Sequence, residues 1–359
     1  MRRQISGPVL TAAAAVGLWT WVTAAAQENG TPAAAHYLQA SPEDMQWWLD
    51  AKFGLFIHWG PISLLGQEIS WSRHDRADQG HGSVPTEVYD NLYKRFNPVH
   101  YDPEDWVRIA KAAGTQYLVF TTRHHDGFCM FDTATTDYKI TNSPYGRDIT
   151  RMLAEACHSA HFRLGFYYSP PDWHHPEYIA RNFGAFRSYV HAQLRELMTN
   201  YGRVDILWFD GLGMTAEQLD SRELFRMVRA HQAHIIINNR GGLPGDFDTP
   251  EQTIGHFRLD RPWESCMTLG TQWSWKPNDR IKSRDECIEL LVRCAGGGGN
   301  LLLNVGPMPT GEIEPTQAKR LAEIGEWLRR YGESIYGTRG GPFRPTVTYC
   351  TTNRGNRVY

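Results

Sequence analysis

The chain has 359 residues, with 37 Lys and Arg against 39 Asp and Glu and a formal charge of −2. That balance argues against a nucleic-acid or anionic-membrane binder, which carries a basic excess, and 41% hydrophobic against 21% charged residues argues against global disorder. The length suits one large α/β domain or two smaller ones, and the 13 Trp, 16 Tyr and 15 Phe fit a large aromatic core or a cleft that stacks on sugar rings.

Taken in chain order, Arg2 and Arg3, the apolar run Val9 to Val22, and Ala24-Ala25-Ala26 before Gln27 predict a signal peptide over 1–26. The run is too short and wrongly flanked for a transmembrane span, so the expected product is secreted or periplasmic. Residues 27–41 read as a small, polar linker holding the sequon Asn29-Gly30-Thr31. From Pro42 onward apolar bursts alternate with helical stretches. Strands are predicted at Gly54–Trp59, Gln116–Thr122, Arg163–Ser169, Asp205–Phe209, Ile235–Asn239 and Leu301–Val305, with one or two more around Trp263–Trp275. Helices are predicted at Glu104–Ala113, Ile149–Ala160, Tyr178–Tyr201, Glu217–Ala233, Arg284–Cys294 and Pro315–Tyr331.

Runs such as Leu118-Val119-Phe120 and Ile235-Ile236-Ile237 signal strands buried on both faces, hence a parallel sheet covered by helices. The alternation predicts an α/β fold, and the unit count favours a (β/α)8-like TIM barrel over 42–343. The first strand ends in His58-Trp59-Gly60-Pro61, without the Gly-rich turn of a dinucleotide-binding sheet. Gly296–Gly299 stands after a helix and before a strand, the wrong side for a phosphate loop, and reads as a tight turn. None of the six cysteines falls in a C-x-x-C pair, so no zinc ribbon or thioredoxin-type site is indicated.

Polar residues gather at predicted strand ends: His58 and Trp59; Arg123-His124-His125-Asp126; Tyr167, Tyr168 and Asp172-Trp173; Trp208-Phe209-Asp210; Asn238-Asn239-Arg240. In a barrel these ends converge on one face, where active sites form. Asp210, carried to the rim by an apolar strand, is the candidate nucleophile. A second carboxylate is needed for acid/base work, and the candidates are Asp246, Asp248, Glu251 and Glu264. A metal hydrolase is the competing reading of the His-rich rim, but no His-x-His stands at a strand end and no His-Glu-x-x-His occurs. No resident metal or cofactor is expected.

Several of these stretches resemble the retaining α-L-fucosidases of glycoside hydrolase family 29. They are Trp48-Leu49-Asp50-Ala51-Lys52-Phe53-Gly54 with Phe56-Ile57-His58-Trp59-Gly60, Thr122-Arg123-His124-His125-Asp126-Gly127-Phe128, Phe166-Tyr167-Tyr168-Ser169, Trp208-Phe209-Asp210-Gly211 and Leu301-Leu302-Leu303-Asn304-Val305-Gly306-Pro307. The resemblance implies a barrel-like domain, a covalent fucosyl-enzyme intermediate on Asp210, and Glu251 of Thr249-Pro250-Glu251 as acid/base, with Glu264 as its rival. It implies fucose contacts from His58, Trp71, His124, His125, Tyr168, Trp208 and Arg240, fucosylated oligosaccharides or glycoproteins as substrates, and no nucleic-acid partner. Ser70-Trp71 stands where many members carry Glu-Trp, with Glu68 two residues earlier. Residues 344–359 read as the start of a truncated β-sandwich. A fucose-binding protein without catalysis, and a barrel glycosidase for another sugar, are the alternatives on the same scaffold.

Overall fold

The continuous apolar runs fold as parallel strands. A computed structural model describes residues 37–78, 80–346 and 348–359; the predicted signal peptide, the sequon and most of the predicted linker lie outside the described residues. The strands are β1 (Phe53–Ile57), β2 (Tyr117–Arg123), β3 (Arg163–Tyr168), β4 (Ile206–Phe209), β5 (Ile236–Ile237), β6 (Glu264–Thr268) and β7 (Asn300–Val305). They form one parallel sheet in the order β5-β4-β3-β2-β1-β7-β6. Helices Pro103–Ala112, Ile149–Ser159, Phe183–Asn200, Ser221–His231, Arg284–Gly297 and Pro315–Tyr331 match the predicted helices closely.

Two predicted helix starts are displaced. Arg181 and Asp220 adopt left-handed φ values of 57° and 47°, which L-residues enter only as single turns. These break the predicted Tyr178–Tyr201 and Glu217–Ala233 into a short first piece and a long second one.

The sheet curls into a (β/α)8 barrel because an irregular eighth segment joins its two edges. Asp246 N–H donates to Ile237 O on the β5 side at 2.7 Å. On the β6 side, Glu264 N–H donates to Asp248 O at 2.9 Å, Cys266 N–H to Pro250 O at 3.1 Å and Gln252 N–H to Cys266 O at 3.0 Å. The bridges at Asn238–Phe247, Asp248–Trp263 and Glu251–Cys266 are all parallel. Residues 246–252 thus occupy the place of the eighth strand.

Strand parity sorts the apolar residues into two layers. Phe56, Tyr117, Val119, Tyr167, Ile206, Trp208, Ile236, Phe247, Cys266 and Leu302 fill the barrel interior. Leu55, Ile57, Leu118, Phe120, Phe166, Tyr168, Leu207, Phe209 and Leu303 pack outward under the helices. The helix Pro42–Ala51, which the sequence pattern did not single out, sends Trp48 into the interior layer, its ring 4.6 Å from Phe247. Its N-cap Ser41 accepts from Asp44 N–H, Pro42 opens the first turn, and Glu43 and Asp44 complement the helix dipole. Tyr37 and Ala40, at the end of the predicted linker, are tied to the barrel through Arg229 and Asp246.

The glycine run turns between helix Arg284–Gly297 and β7. Gly298 caps the helix at φ 95°, and a Cβ there would sit 2.6 Å from Leu259 Cδ2 and 2.8 Å from Arg258 O. A small antiparallel sheet follows at the C-terminal end: β8 (Arg339–Gly340), β9 (Thr352–Arg354) and β10 (Arg357–Val358). Gly298→Ala should therefore destabilise the fold by about 1 kcal/mol or more, read as a lower denaturation midpoint with an unchanged m-value.

Candidate active site

The interior rows continue past the strand ends and carry the candidate site residues. His58 follows Phe56 on the inner side of β1. Asp210 follows Ile206 and Trp208 on β4. A half-enclosed cavity at this end is lined by Phe56, His58, Trp71, His124, Tyr167, Trp208, Asp210, Arg240, Glu251, Cys266 and Trp273. A broader groove that includes Met214, Asn239, Leu243, Asp248 and Arg261 shares Asp210 and Arg240 with it.

Arg240 organises the floor. Its Nη1 lies 3.1 Å from Asp210 Oδ1 and 2.8 Å from Glu251 Oε2. The two carboxylate oxygens are therefore no farther apart than the sum of those lengths, about 6 Å, beside about 5–5.5 Å for retaining and 6.5–9.5 Å for inverting pairs. Arg240 Nε donates to Thr249 Oγ1 and Nη2 to Thr249 O, both at 2.8 Å, while its Cζ stands 4.8 Å from the Trp208 ring centroid.

Asp210 also accepts from Tyr167 O–H at 2.9 Å through Oδ2, and His125 Nε2 is 3.4 Å from the same oxygen. Burial alone would raise its pKa. His125, Arg240 and His124 more than offset that and hold the carboxyl well below the usual range. It is an ionised carboxylate with few conformers. Its side chain is 13% exposed, whereas that of Glu251 is 41% exposed.

Buried partners orient the histidines. His58 Nδ1–H donates to Asn304 Oδ1 at 2.7 Å, an orientation set by Asn304 Nδ2–H donating to Trp273 O. Burial lowers the His58 pKa to about 3, so the ring is neutral and Nε2 is an acceptor. His124 Nδ1 meets Ser70 Oγ at 2.6 Å, and burial likewise holds this ring neutral. Ser70 is itself fixed: its Oγ accepts from Asp126 N–H, and its N–H donates to Tyr89 O–H, which donates to Asp126 Oδ2. His125 Nδ1 meets Ser169 Oγ at 2.6 Å, and Ser169 O–H donates onward to Pro171 O. Trp71 packs edge-on to His125 and Trp173.

The structure brings together Asp210, Glu251, His58, Trp71, His124, His125, Trp208 and Arg240. It does not bring Tyr168 to the cavity. Tyr168 faces outward, its O–H donating to Gln193 Oε1 at 2.8 Å and its ring lying 4.4 Å from Arg123 Cζ. Its neighbour Tyr167 has the inward parity and touches Asp210. Strand alternation applied to Trp208 and Asp210 on the adjoining β4 carried the signal for that choice. Phe56, Cys266 and the orienting residues Ser70, Ser169 and Asn304 were also missed.

The rival carboxylates are committed elsewhere. Asp246 Oδ2 accepts from Arg229 Nη2–H and Ile237 N–H, both at 2.6 Å. Asp248 pairs with Arg258 and Arg261. Glu264 is buried beneath the cavity, accepting from Tyr117 O–H and, at 3.2 Å, from Trp208 Nε1–H. Glu68 accepts from the backbone N–H groups of Ile69, Trp273 and Ser274. It pins Trp273 beside His58, with ring centroids 4.8 Å apart, and does not itself line the cavity. Trp275 does not line it either.

Burial raises the Glu264 pKa to about 7. An unfolded glutamate titrates near 4.3, so between about 4.3 and 7 the unfolded chain releases a proton that the folded chain keeps, and stability falls as pH rises through that window. Glu264→Gln should remove this contribution. Denaturation of the variant and the parent should diverge as pH rises from about 4.3 to 7 and run parallel above it, the variant becoming relatively more stable.

A family model described as alpha-L-fucosidase matches residues 20–333. Tissue alpha-L-fucosidase of Rattus norvegicus is 29% identical over 96% of this chain and 82% of its own length, and that of Homo sapiens is 27% identical over 87% and 74%. Among solved structures, alpha-L-fucosidase isoenzyme 1 from Paenibacillus thiaminolyticus superposes with a TM-score of 0.81 at 38% identity, covering 88% of this chain and 82% of that one. A Bacteroides thetaiotaomicron GH29 alpha-L-fucosidase, trapped as a covalent intermediate with 2-fluoro-fucosyl fluoride, superposes with a TM-score of 0.77 at 26% identity, covering 89% and 81%.

Proposed function

The chain belongs to the α-L-fucosidase family and is a glycoside hydrolase, and we propose that it removes terminal α-L-fucose from glycoconjugates with retention, through a fucosyl ester on Asp210. The observation that carries this reading is the single Arg240 nitrogen shared by Asp210 and Glu251. It keeps one oxygen of each carboxylate within about 6 Å of the other, short of the roughly 6.5–9.5 Å of inverting pairs, which supports a double displacement.

In the first step an oxygen of ionised Asp210 attacks the anomeric carbon. The glycosidic C–O bond breaks, and its oxygen takes a proton from Glu251. Oε1 of Glu251, the oxygen free of Arg240, is the one positioned to carry it. In the second step Glu251 takes a proton from water, the hydroxide oxygen bonds the anomeric carbon, and Asp210 leaves as carboxylate. Arg240, Tyr167 and His125 stabilise the charge that returns to Asp210. His58 accepts from a sugar hydroxyl through Nε2, while Phe56, Trp208 and Trp273 offer an apolar wall suited to the 6-methyl group. The groove beyond Asp210 and Arg240 leaves room for the rest of the glycan. The leader signals support action outside the cytoplasm, on fucosylated oligosaccharides or glycoproteins. N-terminal sequencing of the exported chain should begin near Gln27.

An aryl α-L-fucoside tests the mechanism. Proton NMR of the first turnover should show α-L-fucose before mutarotation. Asp210→Ala should lose about 10³-fold or more in kcat and recover with azide as β-fucosyl azide. Glu251→Ala should give the α-azide. Glu264→Gln should recover nothing from azide and keep most of the parent rate. First-formed β-fucose would overturn retention, and α-azide from a Glu264→Ala chain would move the acid/base role there.

A further inference from the structure

Beyond the reaction itself, we propose that His124, His125 and Asp210 form a binding site for a transition-metal dication such as Zn2+, and that the bound ion is a reversible inhibitor competing with the sugar.

One donor atom from each of the three residues lies within 4.8 Å of the other two. Both Nδ1 atoms are taken by serines, Ser70 for His124 and Ser169 for His125, which leaves the Nε2 atoms free. The outer bonds also fix the ring orientations, as they do for histidines in metal sites. His125 Nε2 is the independent sign of a ligand. It is fully buried without a hydrogen-bond partner, yet lies 3.4 Å from Asp210 Oδ2. Ser169 spends its own proton on Pro171 O, so His125 Nδ1 must donate to it. His125 Nε2 faces that carboxylate oxygen across 3.4 Å, and a dication between them replaces the proton that otherwise pairs the two. Two donors 3.4 Å apart subtend roughly 110° at an ion about 2.0–2.1 Å from each, the tetrahedral angle.

Two imidazoles and one carboxylate suit Zn2+, Cu2+ or Ni2+ and not Mg2+ or Ca2+. Three protein donors leave a position open for water. Arg240, 3.1 Å from Asp210 Oδ1, repels a cation and keeps the site weak enough to be reversible. The ion would occupy the nucleophile, so it blocks turnover and takes no part in it. The binding claim stands without any turnover. The inhibition claim rests on the proposed function.

Chelator-treated protein titrated with Co2+ should give a visible d–d spectrum that saturates at one equivalent. L-Fucose should abolish that spectrum, and it should be absent in a folded His125→Gln chain. Ser169→Ala, which removes only the outer support, should weaken it. His81→Ala should leave it unchanged; this substitution destroys the exposed His74-Asp75-His81 group, the other set of potential donors among the described residues. In the fucoside assay, free Zn2+ at about ten times its dissociation constant should raise apparent KM about tenfold with kcat unchanged. A spectrum lost in His81→Ala and kept in His125→Gln, or one indifferent to L-fucose, overturns the proposal. So does the absence of any Co2+ spectrum, with a proton then filling the gap at His125. A chain inert toward every fucoside would sink the proposed function, while the Co2+ titration would still decide the binding site.

Discussion

The catalytic end of this barrel depends on the guanidinium of Arg240. Its N–H groups are shared among Asp210, Glu251 and two atoms of Thr249. A planar fork can satisfy these partners together, and a lysine ammonium could not. The bridge does three things. It ties the end of β4 to the irregular segment 246–252. It offsets the desolvation of Asp210, a carboxylate only 13% exposed. It also keeps one oxygen of each carboxylate within about 6 Å of the other. Trp208 lies against the face of the same guanidinium and rests on Glu264 below. The chain of support thus runs from the barrel interior to the two carboxylates.

Around that bridge the site is preorganised by neutral polar residues. The rings of His58 and His124 are driven neutral by burial, and His58, His124 and His125 are each pinned at Nδ1 by Asn304, Ser70 and Ser169. A pinned neutral imidazole presents its other nitrogen at a fixed place, with little reorganisation when a hydroxyl arrives. Ser70 shows how local the solution is. It stands where a Glu-Trp pair was expected, it holds a left-handed φ of 57°, and it works by orienting His124. Glu68 has meanwhile been turned to fix Trp273.

Much of this was legible in the sequence, because buried parallel strands read as continuous apolar runs and their ends read as polar clusters. Asp210, Arg240 and the histidines stood out on those grounds. The choice between Tyr167 and Tyr168 was not settled by motif, since adjacent strand residues face opposite ways and the motif contains both. The register of β3 against β4 pairs Tyr167 with Trp208, which settles the parity. Arg123 shows the reverse difficulty: a register shift between Thr121 and Arg123 turns it outward, where simple alternation from Thr121 would place it inside. The segment 246–252 was read as loop because its Pro and Asp content hides its pairing. Its strand-like role comes from tertiary hydrogen bonds alone.

In the proposed mechanism, that irregularity bears on how the two carboxylates divide their work. Asp210 follows β4, a strand paired on both sides, and is fixed by Tyr167, His125 and Arg240. A nucleophile gains from such rigidity, since its oxygen must meet one carbon along one line. Glu251 sits on the segment with the least regular pairing, and its side chain is 41% exposed. An acid/base residue must face the departing sugar, then admit water to the same place, then exchange its proton with solvent. Partial exposure at the seam of the barrel meets those needs, and the shared Arg240 nitrogen keeps Glu251 from drifting out of reach of Asp210. In the proposed mechanism the barrel thus assigns its firmest support to bond formation and its loosest to proton traffic, with one guanidinium spanning the difference.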